Sequence, residues 1–183
     1  MNRTALLLLL LVGAPAFAAS PGDPVPFNDA QGRSIDSIVI PLRSPVRFTG
    51  WLKDNVARFE GRFVLEGTYY YGDKASNHGP EFVAAAHIVP DRNARFPLLM
   101  KRNGPRAIGI DNPEIFAEAV IPAGVLKSVR RKGGGYASGH VAIRAEGFTV
   151  AIACDSPSYG THFASVYRPS GAHIESSQPH TGC

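Results

Sequence analysis

The chain has 183 residues, of which 44% are apolar and 19% charged, with a formal net charge of +4 and a pI near 9.3. That apolar fraction can build a sizeable core, which excludes an intrinsically disordered chain. The basic excess is mild and acidic residues are scattered through the sequence, so the Lys/Arg stripe with interleaved aromatics that nucleic-acid binding requires is absent.

Residues 1–3 give a short positive start, residues 5–12 are an unbroken apolar run containing six successive leucines, and Gly13 and Pro15 then break any helix. Ala16, Phe17 and Ala18 follow as a small-x-small cleavage site. This order predicts a cleavable secretory signal over residues 1–18, because the apolar run is well short of the roughly 20 residues a membrane span needs. No cysteine near the cut offers a lipid attachment point. The expected product is a periplasmic or secreted soluble protein, residues 19–183 forming one β-rich domain with neither transmembrane segment nor lipid anchor.

Residues 20–26 carry three prolines and read as an extended leader. Residues 35–42 and 46–52 are short apolar runs closed by proline or glycine, the mark of strands. From residue 57 to 71 the odd positions include Phe59, Phe63, Leu65, Tyr69 and Tyr71, while the even ones include Arg58, Glu60, Arg62 and Glu66. Alternation of period two predicts a long strand with one buried and one wet face, bent at Gly61 or Gly67. Residues 82–89 form a further strand ending at Pro90. Residues 96–100 and 107–110 flank Asn103 and Gly104, which predicts a hairpin.

Residues 113–120 have the start signals of one short helix, with Asn112 as cap, Pro113 in the first turn and Glu114 at the positive dipole end, and the same residues can also be read as a strand running to Ile121. Lys127, Arg130, Arg131 and Lys132, followed by three glycines, read as a cationic loop. Residues 139–145, 148–154 and 162–167 then predict three strands, the first two joined by a turn at Glu146 and Gly147. The expected fold is all-β, a single-domain antiparallel sandwich or barrel. In an exported chain two cysteines are most simply a disulfide. A Cys154–Cys183 bridge would close a tail of about 30 residues and contribute about 3 kcal/mol.

Few residues carry chemistry by spacing. The six histidines, His78, His87, His140, His162, His173 and His180, show neither H-x-H nor H-x-x-x-H, so no metal site is expected. His87 reads as a satisfied strand histidine. No glycine motif cradles a phosphate, and no cofactor is expected. Glu60 and Glu66 share a wet face with Arg58 and Arg62, which suits cross-strand charge pairing more than glycoside hydrolysis. Tyr69 and Tyr71 should face the core, leaving Tyr70 exposed to bind. The expected function is therefore binding in the cell envelope or outside the cell, with Tyr70, Arg130, Arg131 and Lys132 as ligand-binding residues and an envelope polymer or protein as partner. One alternative is a hydrolase built from His140, Asp155, Ser158 and His162, which requires at least two of them within hydrogen-bond reach. Another is an inhibitor or immunity-type protein presenting a rigid loop over residues 72–80.

Overall fold

The computed structural model describes residues 22–28, 33–52, 55–73, 84–91, 95–100, 107–131, 135–153, 156–168 and 171–175. The predicted signal (1–18), both cysteines, Asp155, Lys132, Asn103, Gly104 and most of the 72–80 loop lie outside these residues. No helix among the described residues is long and apolar enough to cross a membrane.

The chain is built on strands, in the order β1 (Val25–Asn28), β2 (Ser34–Val39), β3 (Arg47–Leu52), β4 (Val56–Asp73), β5 (Ala84–Pro90), β6 (Leu98–Leu99), β7 (Ile108–Ile110), β8 (Tyr136–Ala153), β9 (Ser156–Arg168) and β10 (His173–Glu175). Two helices, α1 (Pro113–Val120) and α2 (Ala123–Val129), lie between β7 and β8. β4 and β8 are the spine, an antiparallel pair running from Ala57 opposite Val150 to Tyr71 opposite Ala137. β4 also pairs with β5, β5 with β7, β7 with β9 and β9 with β8, so the hydrogen-bond ladder returns to its start. Five strands thus close a barrel, and the β7–β9 ladder is parallel. β3 and β10 extend the sheet outward, while β1, β2 and β6 form a separate small sheet.

The alternation in β4 sets what fills this barrel. Phe59, Leu65, Tyr69 and Tyr71 are buried, whereas Arg58, Glu60 and Glu66 stay outside. Toward the N-terminal half of β4 the core is aromatic: Phe148 lies 6.3 Å from Phe59, 6.4 Å from Phe63, 5.3 Å from Phe96 and 6.1 Å from Tyr159. The small sheet joins it through Leu99, whose backbone N–H points to the Tyr159 hydroxyl at 3.5 Å. At the other end α1 inserts Phe116 between Tyr69 (5.6 Å) and Phe163 (5.5 Å). The Tyr71 hydroxyl meets Glu114 at 3.1 Å, while the buried Tyr69 hydroxyl finds no partner among the described residues and its pKa is pushed up to about 12 by burial.

The helix over residues 113–120 forms with the predicted bounds. Asn112 occupies the cap position, yet its side chain makes no cap hydrogen bond and turns to β9 instead. Three local expectations are corrected. The 96–100 and 107–110 segments do not form a hairpin: Leu98 and Leu99 pair with β2, while Ile108 and Gly109 pair with β5. Leu99 is needed under the small sheet, and Ile108 and Ile110 inside the barrel.

Glu146 and Gly147 do not end a strand. Gly147 takes φ 65° as a bulge within a continuous β8, and the Thr161 hydroxyl donates to the Gly147 carbonyl at 2.6 Å. The basic run is not a hairpin loop either, since Lys127 lies in α2 and Arg130 caps its C-terminus. Ser156, Pro157 and Ser158 begin β9.

Candidate functional site

The outer face of β4, β8 and β9 carries a concave surface. Gly61 permits it, because the Pro45 carbonyl and Val46 occupy the space where a Cβ would stand, and this contact brings the segment before β3 against β4. A cleft of about 800 Å³ results, lined by Arg47, Arg58, Glu60, Arg62, Glu146 and His162 among others. Arg62 and Glu146 also line a second hollow of about 620 Å³, which continues over Val64, Arg144 and Ser165. The two adjoin at Arg62 and Glu146, and this groove of two hollows has four guanidinium groups and two carboxylates among its described lining residues.

The charges there are matched loosely around Glu60 and closely at Glu146. Glu60 is shared between Arg47 and Arg58 at 3.8 Å each, and Arg62 meets Glu146 at 2.8 Å. Exposed pairs of this kind contribute little to stability, so the arginines are available for an incoming anion. At the far end Arg144 and Arg168 lie 5.4 Å from the centre of the Tyr167 ring, which holds both guanidiniums by cation–π attraction.

His162 borders the groove, and its surroundings decide whether it can act as a base. The Asn112 amide is oriented by Phe163, accepting that residue's N–H at 2.9 Å and donating to its carbonyl at 2.9 Å. Its second N–H therefore faces His162 Nε2 at 3.3 Å, and His162 Nδ1 donates to Asp111 at 2.8 Å. Both ring nitrogens are engaged, and the lone pair a general base would use is taken. The group is a clasp that fixes the start of α1 to β9. Asn112→Ala is expected to destabilise the protein by about 2 kcal/mol, read by urea unfolding, because two backbone groups of Phe163 lose their partner.

Of the four residues of the hydrolase alternative, the three that are described, His140, Ser158 and His162, are not assembled. His140 lies on β8 beside Asp91, at 3.3 Å. It is six residues from Glu146, the cross-strand partner of His162, a separation of about 20 Å along a strand. Ser158 and His162 stand four residues apart on β9, about 13 Å, and Asp155 is outside the described residues.

Among the described residues, Tyr70 and Arg130 of the predicted binding set also separate. Tyr70 projects from the face opposite Tyr69 and Tyr71, as the alternation requires, and its ring stacks on His87 at 5.3 Å. Arg130 binds Glu114 in a short ion pair, lies 3.5 Å from Glu118 and donates to the Tyr71 hydroxyl at 3.4 Å, so it holds the two helices to the barrel. Arg131 is exposed beyond α2.

Sequence reasoning missed the groove arginines as a site, because their spacing in β4 is that of an ordinary wet strand face. It also missed a cluster of Glu66, Asp91 and His140, whose ligand atoms all lie within 4.8 Å of one another. No protein-family model matches the chain, and no curated protein or solved structure matches it.

Proposed function

We propose that the protein is an exported, soluble binding protein of the cell envelope or extracellular space, and that its ligand is an anionic polymer held in the groove over β4, β8 and β9. The signal pattern of residues 1–18 supports export, and an even cysteine count in such a chain supports the Cys154–Cys183 disulfide. The observation that carries the binding role is the groove itself. Arg47, Arg58, Arg62 and Arg144 line two adjoining hollows in excess over Glu60 and Glu146. Guanidinium forks suit carboxylate or phosphate groups, and repeated forks along a groove suit a repeating anion.

The connectivity agrees with such a role. A five-stranded ring running first-second-third-fifth-fourth, with its helices between the third and fourth barrel strands, is the connectivity of the OB fold, a scaffold that binds oligomeric ligands. That is an analogy of topology, and the ligand has to be argued from the site. The same analogy favours a second reading. OB-type barrels use the face of their second and third strands, here β5 and β7, beside which Tyr70 stacks on His87.

Retention on immobilised polygalacturonate, a carboxylated polysaccharide, separates the two. The protein is expected to bind and to be released by salt, and Arg58→Gln combined with Arg62→Gln is expected to weaken binding at least tenfold. Tyr70→Ala should leave it unchanged. Loss with Tyr70→Ala and not with the arginine pair would move the ligand to the β5–β7 face. Retention that neither substitution alters would overturn both.

A further inference from the structure

Glu66 and His140 are brought together by β4 and β8, and Asp91 joins them as the residue that follows β5. Thr68 of β4 pairs with His140 of β8, which places His140 diagonally across from Glu66 on the same outer face. Asp91 follows β5, and its N–H donates to the Glu66 carbonyl at 3.0 Å, which continues the β4–β5 ladder and sets Asp91 at the other side of Glu66. The backbone hydrogen bonds of the barrel therefore fix all three positions, and only side-chain rotation remains free.

From this arrangement we propose that the protein carries a site for a divalent first-row transition ion, Zn²⁺ in the first instance, with Glu66, Asp91 and His140 as its protein ligands. Asp91 Oδ2 and His140 Nε2 are 3.3 Å apart. Two ligands of a tetrahedral ion at about 2.0–2.1 Å stand about 3.3 Å from each other, so this edge already has the required length. The third ligand atom lies within 4.8 Å of both, and the side chain that carries it is exposed and free to swing inward.

Charge points the same way. Two carboxylates are held side by side, and no described cation lies within ion-pair distance of Glu66. A bound dication relieves that repulsion, whereas His140 supplies at most one positive charge. One imidazole and two carboxylates suit zinc, and they leave a fourth position open toward water or an anion. Glu66 and Asp91 also line a cleft of about 520 Å³ together with Arg43 and Arg95, so the open position is approached past two guanidiniums, which suit an anion as the fourth ligand. The site does not depend on the groove reading.

The test is a calorimetric titration of chelator-treated, untagged protein with Zn²⁺. One equivalent is expected to bind with micromolar affinity and to raise the melting temperature, as an ion that prefers the folded state must. Glu66→Ala, Asp91→Ala and His140→Ala should each weaken binding at least tenfold and abolish the thermal shift, while keeping the metal-free melting temperature. A His173→Ala, His180→Ala double variant should bind as the parent does, which excludes the tail histidines. Failure of the parent to bind one equivalent overturns the proposal. So does binding that survives any one of the three substitutions, or that is lost in the tail variant.

Discussion

Phe148→Ala is expected to cost about 4 kcal/mol of stability, since truncating a fully buried phenylalanine removes its transfer energy and leaves a cavity that rigid neighbours cannot fill. Those neighbours are unusually constrained. Phe59 and Phe63 belong to β4, Tyr159 to β9 and Phe96 to the segment leading into the small sheet, and all four rings contact Phe148. A collapse toward the void would pull on two barrel strands and on the small sheet together. Urea unfolding measures the loss, and Phe148→Leu, which keeps most of the volume, should cost less than half as much. Equal costs for both substitutions would show that ring packing, and not volume, dominates this end of the core.

The second large effect is expected from pH. Burial pushes the pKa of His87 down from its ordinary value of 6.5 to about 4. Between these values the unfolded chain binds a proton that the folded one does not, so stability falls as pH drops from about 6.5 to about 4 and the His87 contribution levels off below that. The loss attributable to His87 is up to about 3 kcal/mol, the free-energy equivalent of holding its pKa at about 4 in place of 6.5. His87→Phe keeps an aromatic ring against Tyr70 and removes the titration. Its stability should be flatter than the parent's across this interval, measured by urea unfolding in half-unit steps. Parallel curves for the two proteins would assign the acid sensitivity to other groups.

How much of this was legible in the sequence depends on the range over which each feature is decided. The period-two run of residues 57–71 identified the spine strand and sorted Tyr69 and Tyr71 from Tyr70, because strand alternation is a local property. Residues 113–120 likewise carried their own helix signals. Gly147 was misread because a glycine with positive φ serves a turn and a bulge equally well, and only Thr161, from the neighbouring strand, selects the bulge.

Asn103 and Gly104 suggested a hairpin whose two arms are claimed by different sheets, a competition that no local signal encodes. The sites were less legible still. Glu66, Asp91 and His140 meet only through the β4–β5 and β4–β8 registers, and the groove arginines become a site only when β8 and β9 supply the rest of the wall. Arg130 shows the reverse. Its basic neighbours suggested a ligand surface, whereas the short ion pair with Glu114 makes it a brace between helices.

The pairing of β4 also sets a timetable. Its partners β3 and β5 lie close by in the chain, but β8, which covers its whole other edge, is made much later. A polypeptide that emerges N-terminus first therefore carries β4 for a long interval with one edge open, apolar on one face and able to recruit any stray strand. Arg58, Glu60, Arg62 and Glu66 stand along the opposite face of that edge. In the finished barrel they line clefts. During synthesis the same side chains act as gatekeepers, since a second copy of β4 laid parallel and in register against the first would bring like charges together.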